Sequence, residues 1–564
     1  LMRANAMDFD DLILKTVEVL QRFPEAKARF RSRFRHVLVD EYQDTNHAQY
    51  ILVKELVGTD LEGQPPAELC VVGDADQSIY GFRGATIRNI LQFELDYPNA
   101  RTVLLEQNYR STQNILNAAN AVITRNESRK EKNLWSDAGS GAPLTGYVAE
   151  SEHDEANFIA DEIRSLQREG VSTPGDTAIF YRTNAQSRVF EEVFMRNALP
   201  YKVVGGLRFY ERREVKDLLA YLRVLANVED EISLRRIINV PKRGIGDTSL
   251  DYVDLYARDN NISFWQGLLR CNEISSVPAR AAQAINEFTS MISALSVLVE
   301  AKTKPSVVVE AALEQSGLLK ELADSTDPQD EVRVENLKEL VAVSMEYEER
   351  PFEELGEDEE ISLAGFLEKV SLVADADEIP EGEDHGGVVT MMTLHTAKGL
   401  EFPTVFLTGM EDGIFPHSRT LGEKDEIEEE RRLAYVGLTR ARQRLYISRA
   451  EYRSTWGAPN YNPPSRFLDE IPEEVIEWRN QSRTSVSASL IKKTRTATAP
   501  PPRATGKKSV AMELAVGERV SHDTFGLGTV VSVAGAGDKA EATINFGQYG
   551  EKRLLLRYAP VEKL

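Results

Sequence analysis

The sequence predicts an α/β protein with a parallel sheet, a helical insertion and a small β-barrel at its end. Short apolar runs alternate with amphipathic helical patterns over the first 200 or so residues, and again after residue 386. Between these regions, residues 211–385 are helical and charged in pattern, with few strand signals. Residues 513–564 contain short strands separated by glycine turns, which is typical of a small barrel.

The composition describes an ordinary globular protein of several domains. Its 564 residues are enough for about four domains at ~150 residues each. Cys70 and Cys271 are the only cysteines, so disulfides do not hold the fold, which fits a reducing cytosol. No apolar run approaches the ~20 residues of a membrane span. We therefore expect a cytoplasmic protein.

The net charge of −23 argues, taken globally, against nucleic-acid binding, because phosphate contacts need Lys and Arg. The acidic residues are concentrated, however, in residues 353–360, 375–384 and 423–430. Basic residues collect elsewhere, which leaves room for a local basic groove.

The first predicted strand ends in two carboxylates. Val37, Leu38 and Val39 form an apolar run typical of a strand buried on both faces, and Asp40 and Glu41 follow. Ligands of open α/β sheets lie beyond the carboxyl ends of the strands. An Asp there can hold Mg²⁺, and the adjacent Glu can orient or deprotonate a water. A bare Asp-Glu pair would favour a solvated loop, but further phosphate-handling stretches follow downstream.

Two more buried strands are predicted at residues 69–72 and 103–105, each followed by a polar stretch. Gln77 follows the first, where it could sense a terminal phosphate, and Tyr109 offers a flat face for a base after the second. Arg110 and Arg440 could each neutralise charge on a transferring phosphoryl group. Either arginine taken alone would be interpreted as a surface residue, an alternative that the whole set disfavours.

The same alternation continues through the rest of the α/β region. The predicted strands are residues 177–181, 388–394, 404–408 and 445–448, and the predicted helices are residues 187–197 and 427–442. Within the insertion, residues 324–330 and 353–360 have the composition of loops.

A tight turn inside the insertion could approach a phosphate. It contains Lys242, Arg243, Gly244 and Gly246, and its glycines let backbone N–H groups come close to a ligand. A plain turn between two helices explains the same residues equally well, so both interpretations stay open.

Residues 482–512 form a predicted disordered linker whose charges, up to Ser509, are all positive. Gly506 and Lys507 in it do not form a phosphate loop, because the required earlier glycine and the following Ser or Thr are missing.

No G-x-x-x-x-G-K-[ST] stretch occurs anywhere in the chain. The chain also starts with Leu1 in a region already helical in pattern, so we expect it to be truncated at its amino end.

The polar stretches closely resemble the motifs of the UvrD/PcrA/Rep branch of superfamily 1A DNA helicases. The similarity covers essentially the whole chain, and the terminal barrel resembles the Tudor-like tail of PcrA and UvrD. The matching stretches are residues 39–46 for motif II, 73–85 for motif III, 107–111 for motif IV, 393–402 for motif V and 429–441 for motif VI.

The resemblance implies a nucleotide site for ATP and Mg²⁺. The implied roles are Mg²⁺ binding by Asp40, water activation by Glu41, coupling of the γ-phosphate to DNA by Gln77, stacking on adenine by Tyr109, ribose binding by Glu401, and arginine fingers at Arg110 and Arg440.

The resemblance also implies a DNA track. Phe82 would stack on a base of single-stranded DNA, with Tyr80, Arg83 and His395 in the same track. The family usually has Trp where Phe82 stands, and the smaller ring should weaken stacking slightly. Independently of the resemblance, the glycine turn with Lys242, Arg243, Gly244 and Gly246 is also expected to contact DNA.

The implied architecture is two RecA-like domains of the P-loop NTPase type, the first incomplete. The expected boundaries are 1–104 for the later part of the first domain, 105–210 and 386–481 for the second, 211–385 for the helical insertion, 482–512 for the linker and 513–564 for the Tudor-like barrel.

The implied function is ATP-dependent 3′→5′ DNA unwinding by a nucleoid-associated enzyme acting in repair, replication or transcription-coupled processes. The tail would bind RNA polymerase, with Phe525, Phe546 and Tyr549 as an aromatic face. Because the phosphate loop is missing, this chain alone should not bind ATP normally. The alternative is a non-catalytic module that bridges DNA and RNA polymerase.

Overall fold

The structure, a computed structural model, describes residues 7–59, 65–349, 361–375, 387–455, 458–480, 514–535, 540–559 and 561–564. The predicted linker and the acidic stretch 353–360 lie outside these residues. The chain divides into two compact units. The sheet unit comprises Leu1–Gly206, Glu381–Arg453 and Tyr461–Gln481, and the helical unit comprises Leu207–Pro380, Ser454–Asn460 and Ser482–Leu564. No helix among the described residues is long and apolar enough to cross a bilayer.

The sheet unit alternates helices and strands. Its helices are α1 (Phe9–Arg22), α2 (Pro24–Arg33), α3 (His47–Val57), α4 (Arg88–Leu91), α5 (Phe93–Asp96), α6 (Gln113–Ile123), α7 (Glu152–Arg168) and α8 (Ser187–Arg196), with α18 (Lys424–Leu438) after the insertion. Its strands are β1 (His36–Val39), β2 (Glu68–Val71), β3 (Leu144–Ser151), β4 (Thr177–Tyr181), β5 (Tyr201–Val203), β6 (Val389–Thr393), β7 (Phe402–Leu407), β8 (Ala441–Thr455) and β10 (Ile476–Arg479).

The main sheet is parallel, as the sequence predicts. Its strands run in the order β10-β3-β8-β7-β4-β6-β5. On the central strand β4, Ala178 and Phe180 pack in the cluster that contains α6 and α18 residues, while Ile179 and Tyr181 pack in the cluster that contains α7 and α8 residues. All four side chains are fully buried, because helices cover both faces of the sheet.

A second, two-stranded parallel sheet pairs β1 with β2. The prediction that β1 is buried on both faces is wrong, because the side chain of Leu38 is 76% exposed. Within the described residues this sheet has two strands, and nothing there covers the Leu38 face. The predicted strand at 103–105 is also wrong: these residues belong to no helix or strand, and Leu105 is 77% exposed. An apolar run forms a strand only where a neighbouring strand can pair with it.

The helical unit begins with a bundle that has its own core. Its helices are α9 (Arg213–Ala226), α10 (Glu231–Ile237), α11 (Asp247–Asp259), α12 (Phe264–Leu269), α13 (Ala279–Glu300), α14 (Pro305–Ser316), α15 (Leu318–Ala323), α16 (Pro328–Glu348) and α17 (Leu363–Asp375). The loop predicted at 324–330 is shorter than expected, because Asp327 caps α16 and Pro328 opens it. The short strand β9 (Ala458–Asn460) also belongs to this unit.

The tail is a five-stranded antiparallel sheet in the order β14-β13-β12-β11-β15. Its strands are β11 (Arg519–His522), β12 (Gly526–Ala534), β13 (Glu541–Asn545), β14 (Glu551–Leu555) and β15 (Val561–Lys563). The last of these was not predicted, because three residues give too short a pattern. Closure of the sheet into a barrel stays a prediction.

The tail packs against the helical bundle. Val297 of α13 belongs to the apolar core of the tail, and Leu555 of β14 belongs to the core of the bundle. The Thr524 hydroxyl donates to the carbonyl of Ala301 at 3.1 Å. Shared apolar packing and a direct hydrogen bond therefore join the tail to the bundle within this unit.

Candidate nucleotide and DNA site

The carboxyl ends of β1 and β2 lie side by side and carry the first site residues. The two strands are parallel, with Val39 opposite Val71. Asp40 follows β1, and Gln77 closes a 3₁₀ turn (Ala75–Gln77) that follows β2. Parallel pairing thus brings motif II and motif III to one edge of the sheet, as the sequence implies.

Glu41 is held in an uncommon backbone conformation. Its φ of 49° and ψ of 41° lie in the left-handed region, which costs a non-glycine residue about 1 kcal/mol or more. Its N–H donates to Oδ1 of Asp40 at 2.9 Å, and its carboxylate accepts from Nε2 of Gln43 at 2.6 Å. The two carboxylates therefore diverge from a sharp turn, and the Glu41 side chain stays 59% exposed.

Buried Gln43 connects the two strand ends. While its Nε2 binds Glu41, its Oε1 accepts from the backbone N–H of Asp74 at 2.9 Å. Gly73 makes this possible, because a Cβ at that position would lie 2.4 Å from Oε1 of Gln43. The orientation of Glu41 is therefore linked to the start of the motif III turn.

Lys398, which follows β6 in motif V, joins this edge to the main sheet. Its Nζ binds the carboxylate of Asp44, donates to the carbonyl of Gln77 at 2.8 Å and lies 3.5 Å from Oε2 of Glu41. The Lys398 side chain is 7% exposed. Burial raises the pKa of Asp44, and the Lys398 ammonium opposes that shift. One buried cation thus contacts motifs II and III together.

Arg440 meets Gln77 from the end of α18. Its Nη2 donates to Oε1 of Gln77 at 3.5 Å, and its other donors bind the carbonyls of Val436 and Leu400. Burial, with a smaller contribution from the charge of Arg110, lowers the pKa of Arg440 to about 10. The guanidinium remains charged at neutral pH and sits beside the γ-phosphate sensor that the resemblance implies.

Arg110 and Glu401 are paired with each other. Nε of Arg110 lies 2.5 Å from Oε2 of Glu401, and this hydrogen bond lowers the pKa of the Glu401 carboxyl. Tyr109 beside them is 84% exposed and donates its hydroxyl to Oε1 of Gln107 at 2.9 Å. The residues expected at the base, ribose and phosphate of the nucleotide therefore lie along one surface.

The residues of the expected DNA track also meet. The ring of Phe82 is 54% exposed and lies edge-on to the His395 ring at a centroid distance of 5.4 Å. The Tyr80 hydroxyl donates to the carbonyl of His395 at 3.3 Å. The Arg83 guanidinium lies 5.4 Å from the Phe82 centroid. An exposed aromatic face beside a cation suits a stacked base and its phosphate.

Glu429 on α18 ties this track to motif VI. Its Oε1 accepts from the backbone N–H of Gly81 at 3.1 Å. A Cβ at residue 81 would lie 2.5 Å from Oε2 of Glu429, so the contact requires glycine there. Burial raises the pKa of the Glu429 carboxyl.

The turn predicted to contact DNA belongs to the helical unit. Lys242, Gly244 and Gly246 are exposed, and Gly244 has a φ of +76°. Arg243 instead points into its own unit, where it donates to the Tyr221 hydroxyl at 2.7 Å and to the Ser316 carbonyl at 2.9 Å. These contacts fit the alternative that the sequence left open, a turn between helices, and a DNA contact of Arg243 stays a prediction.

The donor set at the strand ends fits a hard divalent cation. Asp40 and Glu41 present exposed carboxylate oxygens, the ligands that magnesium prefers. Residues 37–46 contain no His or Cys, the side chains that would favour a softer metal ion. Asp40 is therefore the residue that would hold the ion.

The site contains three residues for which the sequence predicts no role: Gln43, Lys398 and Glu429. Their positions inside motifs II, V and VI were the available signal. Their roles depend on partners 31 to 354 residues away in sequence, which sequence spacing cannot reveal.

The pH dependence of stability should report on His395. Burial, with the charges of Arg182 and Arg83, lowers its pKa from 6.5 to about 3. Between about pH 6.5 and about pH 3, His395 is therefore protonated in the unfolded chain but neutral in the folded chain. The free energy of unfolding consequently falls as the pH drops through this window, by up to ~1.4 kcal/mol per pH unit. Denaturant unfolding across this pH window should show a smaller loss of unfolding free energy per pH unit in His395→Asn than in the parent chain.

The matched control is His47→Asn, at an exposed histidine on α3. It should keep the full slope of the parent chain. Identical slopes for the parent and His395→Asn would contradict the assignment.

Three protein-family models match this chain. Residues 103–452 match the UvrD-like helicase C-terminal domain, residues 1–98 the UvrD/REP helicase N-terminal domain, and residues 516–563 the PcrA/UvrD tudor domain. The match to the N-terminal domain starts at residue 1 and does not confirm the expected truncation.

Curated relatives match along the whole chain. The ATP-dependent DNA helicase UvrD1 of Mycobacterium tuberculosis (strain ATCC 25618 / H37Rv) is 56% identical over 578 residues, covering 100% of this chain and 74% of the relative. The ATP-dependent DNA helicase PcrA of Bacillus subtilis (strain 168) is 44% identical over 570 residues, covering 100% and 75%. At this identity and coverage, the chain belongs to the UvrD-like helicase family.

Proposed function

We propose that this chain is the motor of an ATP-dependent DNA helicase that moves 3′→5′ on single-stranded DNA and unwinds duplex. The observation that carries the proposal is the short segment from Gln77 to Arg83. At its start, Gln77 contacts Arg440, and at its end Phe82 adjoins His395 and Arg83 adjoins the Phe82 ring. A change at the nucleotide end of this segment is transmitted to the DNA end over six residues.

The chemistry proposed for the nucleotide end is ATP hydrolysis assisted by Mg²⁺. The ion, held by Asp40, would supply charge neutralisation on the phosphates. Glu41, fixed by Gln43, orients the attacking water and accepts its proton. Arg440 and Arg110 stabilise negative charge that develops on the transferred group. Tyr109 and Glu401 bind the adenine and ribose.

Phosphate binding itself requires a loop that this chain does not contain. No G-x-x-x-x-G-K-[ST] stretch is present in its 564 residues. We therefore propose that ATP binds only when such a loop is supplied from outside these residues. Residues 1–104 would belong to one RecA-like domain, and residues 105–210 and 386–481 to a second, with 211–385 inserted in the second.

The tail is proposed to bind RNA polymerase, in a role that links the motor to transcription-coupled repair in the nucleoid. Of the three aromatic residues expected to face a partner, Phe525 and Phe546 are buried in the tail core, which corrects the expected aromatic face. Tyr549 is 49% exposed and lies 5.9 Å from the Phe525 ring. Tyr549 is therefore the aromatic contact that remains.

The second candidate function is a non-catalytic bridge between DNA and the polymerase. The curated relatives, which are named ATP-dependent DNA helicases, do not favour it, and the contacts of Glu41, Arg440 and Gln77 favour the motor. The test below separates the two, because a bridge has no turnover to lose.

Glu41→Gln should reduce DNA-stimulated ATP hydrolysis by about 10²–10⁴-fold, in a protein that carries this chain together with a phosphate loop. The amide keeps the shape but cannot accept the proton of the water. ATP affinity should remain within about twofold, measured by equilibrium binding of a fluorescent ATP analogue.

The control for this variant is Glu68→Gln, at an exposed glutamate at the start of β2. It should hydrolyse ATP at the parent rate. Parent-like turnover in Glu41→Gln would remove Glu41 from the mechanism, and a parent protein without turnover would favour the bridge.

Phe82→Ala should weaken binding of single-stranded DNA by roughly 1–3 kcal/mol, the contribution of one stacked base. Fluorescence anisotropy with a labelled oligonucleotide measures this on the chain itself. Phe23→Ala, at another exposed phenylalanine (58% exposed), is the matched control and should bind normally. Unchanged DNA affinity with a lower melting temperature would make Phe82 a core residue instead.

Deleting residues 513–564 should abolish co-purification with RNA polymerase and leave DNA-stimulated ATPase activity largely unchanged. The single substitution Tyr549→Ala should weaken capture of RNA polymerase. Because it keeps the tail in place, it does not expose Val297 of the bundle, as the deletion does. Pull-downs with polymerase of the source cell measure both. Polymerase retained by the deleted protein, or an isolated tail that binds only DNA, would reject the proposal.

A further inference from the structure

The motif III turn is held from outside the motifs by two cations. Arg129 and Lys132 lie in the loop that follows α6, and they face Asp74 and Asp76 in the turn after β2. Neither cation lies in a motif that the sequence resemblance identifies. Both are well buried, with side-chain exposures of 8% and 16%.

Lys132 binds the carboxylate that orients Gln77. Its Nζ contacts Oδ1 of Asp74, and Oδ2 of the same carboxylate accepts from Nε2 of Gln77 at 2.8 Å. Asp74 also caps the turn through the N–H of Asp76 at 2.9 Å. With Nε2 of Gln77 engaged by Asp74, Oε1 is left facing Arg440. A carboxamide has an oxygen that accepts and an NH₂ group that donates, and these contacts determine that the oxygen of Gln77 is the one directed at Arg440.

Arg129 fixes the position of Lys132 and the base of the turn. Its guanidinium binds Asp76 through two hydrogen bonds, of 2.8 and 3.2 Å, and its Nη2 also donates to the backbone carbonyl of Lys132 at 3.2 Å. Asp76 is 1% exposed, so this bidentate pair is fully desolvated.

Tyr435 places the same lysine against the helix that precedes Arg440. The Lys132 Nζ lies 5.6 Å from the Tyr435 ring centroid, and Tyr435 is buried on α18. Lys132 thus lies between the turn that carries Gln77 and the helix that leads to Arg440. A movement of either element changes the contacts of one ammonium group.

We propose that Lys132 is a positioning residue that orients the Gln77 carboxamide toward Arg440 through Asp74. Its effect on ATP turnover rests on the proposed function, whereas its effect on the turn does not. Removing its charge frees Asp74 to rotate, and Gln77 then loses its fixed orientation. Lys132 itself touches neither nucleotide nor DNA.

The matched control is Lys130→Met, two residues away. Lys130 also makes an ion pair, with Glu94 at 2.7 Å, but both side chains are 41–50% exposed. The same substitution at residue 130 therefore removes a lysine and a salt bridge from the same loop, and the ion pairs of the turn with Arg129 and Lys132 stay in place. Exposed pairs of this kind contribute little to stability.

The first measurement is amide hydrogen exchange on the chain itself, with no nucleotide. In Lys132→Met, amides of residues 75–84 should exchange about tenfold faster than in the parent. Lys130→Met should leave them unchanged, and Lys132→Arg, which retains the charge, should restore protection. Equal protection of this segment in Lys132→Met and the parent overturns the proposal, whether or not the protein hydrolyses ATP.

The second measurement is steady-state ATPase activity of the protein completed with a phosphate loop. Lys132→Met should lower DNA-stimulated kcat by about tenfold with KM for ATP within about twofold, since an interaction of the transition state is lost. A merely structural residue would give parent kcat per folded molecule, which overturns the proposal. If Lys132→Met does not fold, Lys132→Gln serves in both measurements with the same criteria, because it retains a donor without the charge.

Discussion

The buried ammonium of Lys398 is the contact on which the arrangement of the site depends. It lies between Asp44 and the carbonyl of Gln77, with Glu41 3.5 Å away. A buried cation is costly unless acceptors surround it, so the two strand ends must stay close to the end of β6. This one requirement holds motifs II, III and V in register across the sheet unit.

Strain and electrostatics at the site follow from that convergence. Glu41 adopts a left-handed backbone because Asp40 and Gln43 each hold one side of it. Burial, with a smaller contribution from the charge of Arg110, lowers the pKa of Arg440, yet its guanidinium stays charged at neutral pH. In this chain of net charge −23, Lys398 and Arg440 place positive charge among the carboxylates at the strand ends.

The helical unit uses its polar residues mainly for its own structure. Arg243 donates to the Tyr221 hydroxyl and to the carbonyls of Ile237 and Ser316. It makes these internal contacts although its sequence context resembles a phosphate-binding turn. The tail shows the same tendency, since Phe525 and Phe546 fill its core and leave Tyr549 exposed. Exposed lysine and backbone groups, rather than these buried side chains, are left for partners.

The sequence by itself determined the parallel α/β class, the order of most strands and helices, and the stretches that carry the site. These properties are local: apolar periodicity fixes β4 and α8, and the motif letters fix Asp40, Gln77 and Arg440. Only the tertiary structure decided which side chains meet. It left Leu38 and residues 103–105 without the expected burial, because burial depends on neighbours that a sequence pattern does not contain. It paired Arg110 with Glu401, and Lys132 with Asp74, because hydrogen bonds depend on distances in space that separations of 291 and 58 residues do not encode.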